Sequence, residues 1–217
     1  MKHLIVVMFL AAAPLWGSPC SSAPLTDYLT NGFSCSVEGL TFSNFSYGFQ
    51  TTGLTGNPTP GSVLVVPVSG GLKLVSDQFS VGNSDNNNPG GTMNLFFNYQ
   101  VSGQMDWMGL GWMVGNSGDT GNNYWTLNEY AGSNFLSLQF CSDCPGPPTG
   151  TSRVIPLTYG FGVSDQLFLE AGTGGDSSLN WLDNQFSPTP EPAAIALFGT
   201  SMLLLAHKLK GNTRARQ

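Results

Sequence analysis

Histidine is almost missing from this chain, and the two that occur, His3 and His207, lie close to its ends. Without a histidine in between, the sequence cannot supply a Ser-His-Asp or Cys-His catalytic arrangement. It also contains no His-Glu-x-x-His zinc motif and no Gly-x-x-x-x-Gly-Lys phosphate loop. These absences exclude the hydrolytic, zinc-dependent and nucleotide-dependent chemistries that those motifs support.

Basic residues are nearly as scarce in the long middle of the chain, where only Lys73 and Arg153 occur between residues 18 and 189. The whole chain carries 7 Lys and Arg against 13 Asp and Glu, which gives a formal net charge of -6 at pH 7. An acidic body repels polyanions. Nucleic acid and anionic lipid are therefore excluded as partners held by charge.

Helix-period hydrophobic patterning is also absent between the two ends, and β-type alternation takes its place. Residues 92–101 alternate, with Met93, Leu95, Phe97, Tyr99 and Val101 on one face, which predicts a half-buried strand. Further strands are predicted at residues 41–49, 62–66, 72–79, 105–114, 124–130, 135–140, 153–159 and 166–171. Turns rich in Gly, Asn and Asp separate them. This spacing predicts an all-β fold with a single β-sandwich or jelly-roll-like domain.

The first 22 residues have the layout of a secretory signal peptide. A basic start, Met1-Lys2-His3, precedes an apolar stretch at residues 4–13. We therefore expect a signal peptide that ends between residues 17 and 22, a β-sandwich body at residues 23–187 and a tail at residues 188–217.

The tail combines a helix breaker, an apolar segment and a basic end. The breaker is Pro190-Glu191-Pro192, in which neither proline fits inside a helix. The apolar segment predicts a membrane helix at about residues 193–209, with Ala193, Leu197, Phe198, Leu203, Leu204 and Leu205 among its members. The basic stop consists of Lys208, Lys210, Arg214 and Arg216. Positive charge after an apolar segment predicts that this end stays cytoplasmic.

In all three parts the tail resembles the PEP-CTERM sorting signal of bacterial exported proteins. The resemblance implies an exosortase as partner, a membrane enzyme that recognises the motif and cuts near it, and it implies export by the secretion machinery. It also implies transient anchoring in the inner membrane through the C-terminal helix, followed by delivery to the cell surface or the extracellular matrix. Exopolysaccharide is the further partner that such a location suggests.

Four cysteines, Cys20, Cys35, Cys141 and Cys144, fit an exported chain. An even number of cysteines in an oxidising compartment predicts disulfides. We expect local pairing, Cys20 with Cys35 and Cys141 with Cys144. The alternatives are a zinc site and a redox-active Cys-x-x-Cys at the second pair. The redox alternative needs a helix N-terminus to lower a thiol pKa, and the flanking prolines and glycines predict none.

Tryptophan is the residue type best suited to a binding role in this body. Trp107, Trp112 and Trp125 are the leading candidates for contacts with sugar rings, and Trp181, Tyr124 and Tyr130 are further members of such a platform, although burial in a sandwich core explains the same residues. The loop at residues 83–91 is rich in the oxygen donors that calcium prefers, but its spacing does not match an ordered calcium loop. We therefore expect no metal site and no required cofactor, with calcium as the open alternative.

No catalytic residues are expected, and the chain is predicted to be non-enzymatic. Asp106, beside Trp107, and Glu129, beside Tyr130, are the carboxylates that a glycoside hydrolase would use, but acids next to aromatics are common on strand surfaces. The sequence thus predicts an exported surface or matrix protein with a structural or glycan-associated role. A calcium-dependent carbohydrate-binding module is the main alternative, and a glycoside hydrolase is the more distant one.

Overall fold

Antiparallel strands form most of the structure, a computed structural model that describes residues 18–82, 90–114, 124–141, 150–172 and 175–188. The strands are β1 (Ala23–Pro24), β2 (Ser34–Val37), β3 (Leu40–Thr52), β4 (Leu54–Thr55), β5 (Leu64–Val68), β6 (Gly71–Val75), β7 (Ser80–Gly82), β8 (Thr92–Val114), β9 (Tyr124–Ala131), β10 (Asn134–Cys141), β11 (Gly150–Glu170) and β12 (Ser177–Pro188). One helical turn, α1 (Leu25–Tyr28), and a 3-10 turn (Pro60–Ser62) accompany them. The predicted all-β class is confirmed.

The first half of β8 shows how the alternating pattern is used. Met93, Leu95, Phe97, Tyr99 and Val101 are each at most 2% exposed, whereas the residues between them are more accessible. Burial with a period of two is what a strand with one face on a core requires. The predicted buried face of residues 92–101 is therefore confirmed.

Strands β8 and β11 are longer than the sequence pattern predicts, because each one bends and continues. Residues 92–102 of β8 pair with β3 and with residues 160–170 of β11, whereas residues 105–114 pair with β12 and with residues 150–158 of β11. Gly103 (φ 130°) and Gly160 (φ 156°) lie at the bends, in a backbone conformation that favours glycine. The sequence predicts two strands in each place, since glycine reads as a break. Here it lets one strand turn without ending.

The bends divide the sheet into two layers that share β8 and β11. The first layer has the order β2-β3-β8-β11-β9-β10, and the second has the order β1-β5-β6-β12-β8-β11. The layers face each other across the core. The ring of Phe186 in the second layer lies 6.4 Å from that of Phe42 and 5.7 Å from that of Phe161 in the first, between centroids. The arrangement is β-sandwich-like.

A disulfide fixes the segment that precedes α1. Cys20 and Cys35 are bonded, with a separation of 15 residues, and Cys35 of β2 is 2% exposed. In the loop between them, the Tyr28 hydroxyl donates a 2.7 Å hydrogen bond to the Ser21 carbonyl, and its ring packs on Phe33. The predicted Cys20–Cys35 pair is thus confirmed. The second predicted pair lies outside the described residues, because the side chain of Cys141 and all of Cys144 fall there.

The two predicted sorting segments fall outside the described part of the chain. Residues 1–17 contain most of the predicted signal peptide, and residues 189–217 contain the Pro-Glu-Pro motif, the apolar segment and the basic stop. Among the residues that are described, no helix is long and apolar enough to cross a membrane.

Candidate functional site

The outer face of the second layer carries an open groove of about 340 Å³, which we call the outer groove. It lies over three neighbouring strands, β12, β8 and β11, where Gln185 and Ser152 flank Gly109 on its two sides. Its lining residues are Trp107, Gly109, Leu110, Gly111, Thr151, Ser152, Trp181, Asp183 and Gln185. Strand alternation explains the two triplets Trp107, Gly109, Gly111 and Trp181, Asp183, Gln185, because every second residue of a strand faces the same side of the sheet.

Two glycines of β8 form the floor of the outer groove. A β-carbon at Gly109 would collide with the indole of Trp107, and one at Gly111 would collide with the carboxylate of Asp183. The indole and the carboxylate therefore lie over the backbone of these glycines. Glycine in a strand often marks such a close approach. Any larger residue at either position would displace the side chain above it.

Polar contacts hold the side chains on the β12 side of the groove. Gln185 donates a 2.8 Å hydrogen bond from Nε2 to Oδ2 of Asp183. Lys73 of β6, the register partner of Asp183, places its Nζ 5.0 Å from the centroid of the Trp181 ring. This distance is that of a cation–π contact. The Lys73 ammonium group thus lies over the Trp181 indole. Trp107 is on the middle strand, β8, between the polar side chains that β12 and β11 contribute to the groove.

The three tryptophans predicted to contact sugar have different positions. Trp107 is partly exposed and lines the outer groove. Trp125 is 0% exposed, so it packs in the core and offers no surface to a ligand. The side chain of Trp112 lies outside the described residues. Trp181 also lines the outer groove, but the Lys73 ammonium lies over its ring, so the glycan hypothesis rests on Trp107.

Sequence reasoning missed Asp183 and Gln185, the two polar residues that complete the groove with Trp107. Nothing near residues 183–185 in the sequence separates them from a solvated strand. The stretch Trp107-Met108-Gly109-Leu110-Gly111 carried the stronger signal. Two glycines at alternate positions after a tryptophan leave one face of a strand without side chains, and that pattern predicts an open trough.

The carboxylates weighed for hydrolysis are separated by the fold. Asp106 is exposed on β8, whereas Glu129 of β9 is 0% exposed between the layers. A buried carboxyl group cannot reach a substrate held at the surface. These two residues therefore do not form the pair of acids that glycoside hydrolysis uses.

A second polar cluster lies between the layers, around Glu129 and Asp165. These two are register partners on β9 and β11, and both are 0% exposed. Asn184 of the second layer reaches across to them: its Nδ2 donates to the hydroxyl of Tyr99 at 3.0 Å and also to Oδ2 of Asp165. Neither carboxylate oxygen of Glu129 has a hydrogen-bond partner among the described residues. We call these four residues the interlayer cluster.

Burial controls the protonation of the interlayer cluster. Desolvation raises the pKa of Asp165 to about 8, against the opposing effect of the hydrogen bond from Asn184. Desolvation, reinforced by the neighbouring Asp165 and Asp183, raises the pKa of Glu129 well above its ordinary value. Burial likewise raises the pKa of Tyr99 well above its usual range. Because solvent does not reach the cluster, its protonation affects the stability of the fold.

Metal binding has no organised donor set in the described ranges. No group of three or more His, Cys, Asp or Glu side chains there is arranged to hold a metal ion. Most of the loop at residues 83–91, where calcium was the open alternative, lies outside those ranges.

Comparison with known proteins yields no sequence relative: no protein-family model matches the chain, and no curated protein matches it. The solved structure of TmCBM61 in complex with beta-1,4-galactotriose is similar over 64% of this chain and 88% of that chain, at 10% identity and a TM-score of 0.32. The enzymatically active domain of bacteriophage CBA120 tailspike protein 4 is similar over 70% of this chain and 20% of that chain, at 12% identity and a TM-score of 0.27. Similarity this low assigns neither a fold family nor a function.

Proposed function

We propose that this chain is an exported, non-enzymatic protein whose body binds glycan through the outer groove. The observation that carries the proposal is the position of Trp107. Its indole is partly exposed over Gly109 and shares a groove with the hydrogen-bonded pair of Asp183 and Gln185. An open groove with an aromatic wall and a few convergent polar groups is typical of a small-molecule site.

A sugar ring needs two kinds of contact, and the outer groove offers both. The C–H-rich face of a pyranose ring packs against an indole, whose π face carries the negative part of the ring quadrupole. The ring hydroxyls donate to carboxylates and accept from amide and hydroxyl groups. Asp183, Gln185 and Ser152 supply these three group types within the same groove.

The acid content of the groove supports binding without hydrolysis. Among the described lining residues of the outer groove, Asp183 is the one carboxylate, so a sugar ring held over Gly111 meets a single acid there, whereas hydrolysis of a glycosidic bond generally uses two. Asp183 also already accepts a hydrogen bond from Gln185. This arrangement suits a group that orients a hydroxyl.

The tail supplies the second part of the proposal. Pro190-Glu191-Pro192, the apolar segment and the basic stop direct sorting by an exosortase-type membrane enzyme, after export through the inner membrane. The body then reaches the cell surface or the matrix, where exopolysaccharide is the available glycan. The Cys20–Cys35 disulfide is consistent with an oxidising compartment.

The binding part is tested on a glycan array with the purified full-length chain and two variants. Trp107→Ala should lose the signal for any glycan that the wild type binds. Tyr130→Ala is the matched control, because Tyr130 is an aromatic residue 46% exposed elsewhere on the surface, and it should bind as the wild type does. Equal binding by wild type and Trp107→Ala would show that the outer groove is not the site.

The same array, repeated with EDTA, separates the calcium-dependent alternative. We expect binding to persist, because the outer groove contains its own polar groups and needs no cation. Loss of binding with EDTA, and recovery with added calcium, would favour a calcium-dependent carbohydrate-binding module.

The sorting part is tested in a bacterial host with and without an exosortase gene. With the enzyme, mass spectrometry of the released protein should show an end near Pro190-Glu191-Pro192. Replacing all three residues by alanine should leave the tail attached. A tail that stays intact in both hosts would make it a simple membrane anchor.

A further inference from the structure

A second groove adjoins the outer groove at Trp107 and Gln185. It has a volume of about 630 Å³, and we call it the adjoining groove. Its lining residues are Glu38, Ser69, Asp106, Trp107, Val154, Gln185, Phe186, Ser187 and Pro188. Trp107 and Gln185 line both grooves. The two grooves therefore meet at the Trp107 indole, and the adjoining groove extends from there to the turn that carries Glu38.

This position has a consequence for the form of the ligand. A sugar ring packed on Trp107 has room for a neighbouring ring on each side, one over Gly111 and Asp183 and one towards Ser69 and Glu38. A site for the end of a chain would be closed on one side. We infer that the body binds an internal stretch of a linear, uncharged polysaccharide, with its middle ring on Trp107; this inference rests on the proposed function.

Charge selects against acidic sugars. The outer groove presents Asp183, and the adjoining groove presents Glu38 and Asp106. None of the described residues that line either groove is Lys or Arg, and the nearby ammonium of Lys73 lies over the ring of Trp181. The carboxylates of a polyuronate would therefore meet like charge in both grooves.

The polar groups of the adjoining groove suit hydroxyl donors. Ser69 donates from Oγ to the carboxylate of Glu38 at 3.1 Å, which leaves the other lone pairs of that carboxylate as acceptors. Gln185, which lies in both grooves, is held by its hydrogen bond to Asp183. Acceptors thus dominate both grooves, and a neutral glycan supplies the donors that they need.

The test is a calorimetric titration of the full-length chain with two matched ladders from disaccharide to hexasaccharide. The ladders are β-1,4-manno-oligosaccharides and β-1,4-oligomannuronates, which differ only in the carboxylate. Cello-oligosaccharides serve as a third, neutral ladder. We expect affinity for a neutral ladder to rise at least about tenfold between disaccharide and tetrasaccharide, and we expect no binding of the uronate ladder. The triple variant Glu38→Gln/Asp106→Asn/Asp183→Asn should bind the uronate ladder in the same titration.

The outcomes separate this inference from the proposed function. Affinity that is flat from the disaccharide onward, yet lost in Trp107→Ala, would overturn the internal-chain inference and leave glycan binding intact. Uronates that bind as tightly as mannans would overturn the selection by charge. Failure of every ladder to bind the wild type would overturn the inference, and the glycan array would then decide whether the proposed function falls with it.

Discussion

Glu129 and Asp165 lie directly opposite each other on neighbouring antiparallel strands, and solvent reaches neither carboxyl group. Neither basic residue of the body neutralises them, since Lys73 lies over Trp181 on the outer face and Arg153 is exposed. Two buried like charges without a counter-ion are costly. The folded body therefore keeps protons on this pair at a pH at which the unfolded chain has released them.

This difference predicts that the body is most stable in mild acid. The unfolded chain releases these protons near pH 4, whereas the folded-state pKa of Asp165 is raised to about 8 and that of Glu129 is raised well above its ordinary value. Between about pH 4 and pH 8 the folded state binds more protons than the unfolded chain does, so the free energy of unfolding falls as pH rises. Urea denaturation at a series of pH values between these limits measures the loss.

The control for this pH dependence is the double variant Glu129→Gln/Asp165→Asn, which cannot ionise at either position. Its free energy of unfolding should be much flatter between mild acid and pH 8. A wild-type stability that rises over the same interval would contradict raised pKa values for this pair.

Replacing Asn184 by alanine should destabilise the body by about 2–4 kcal/mol. Asn184 is 1% exposed, and its amide links Tyr99 and Asp165 of the first layer to β12 of the second. Removal leaves buried polar groups without a partner and opens a small cavity. Asn98→Ala is the matched control, because the amide of Asn98 donates to the Ser46 hydroxyl at the surface, where losses are typically within about 0.5 kcal/mol. Equal losses in urea denaturation would show that the interlayer bonds contribute no special stability.

Removing the Cys20–Cys35 disulfide should lower the free energy of unfolding by about 3 kcal/mol. That value follows from the entropy of closing a loop of this size in the unfolded chain. The measurement compares the wild type with Cys20→Ala/Cys35→Ala, with and without a reducing agent. The reducing agent should lower the free energy of unfolding of the wild type by this amount. It should not do so in the variant, which lacks the Cys20–Cys35 bond. A variant as stable as the oxidised wild type would contradict the prediction.

The features that sequence reasoning predicted here are local ones. The buried face of residues 92–101 follows from alternation within one strand, and the Cys20–Cys35 pair joins positions only 15 residues apart. Both depend on chain neighbours, whose relation the sequence displays directly. The split of β8 into two strands was wrong for a local reason too, since Gly103 resembles a turn until the second layer is seen.

The candidate site depends on neighbours that the sequence does not display. Gly109 meets Gln185 because β8 pairs with β12, and Glu129 meets Asp165 because β9 pairs with β11. Strand order decides both contacts, and it depends on the packing of the whole sheet. Alternation therefore indicated which residues share a face but not which face carries the groove, so Trp125 and Trp107 looked equivalent.

Gly109→Ala should weaken glycan binding about tenfold while the fold is kept. A methyl group at this position would collide with the Trp107 indole. The indole would therefore move away from the position in which it lines both grooves. Gly162→Ala is the matched control, because Gly162 also lies within a strand and a β-carbon there meets nothing within 4 Å. The measurement pairs calorimetric binding of the best neutral oligosaccharide with tryptophan fluorescence, and only Gly109→Ala should change both. Should Gly109→Ala bind as the wild type does, the indole position would not matter, and the site proposed around Trp107 would be wrong. Should Gly162→Ala lose binding equally, the cause would be a general loss of strand order.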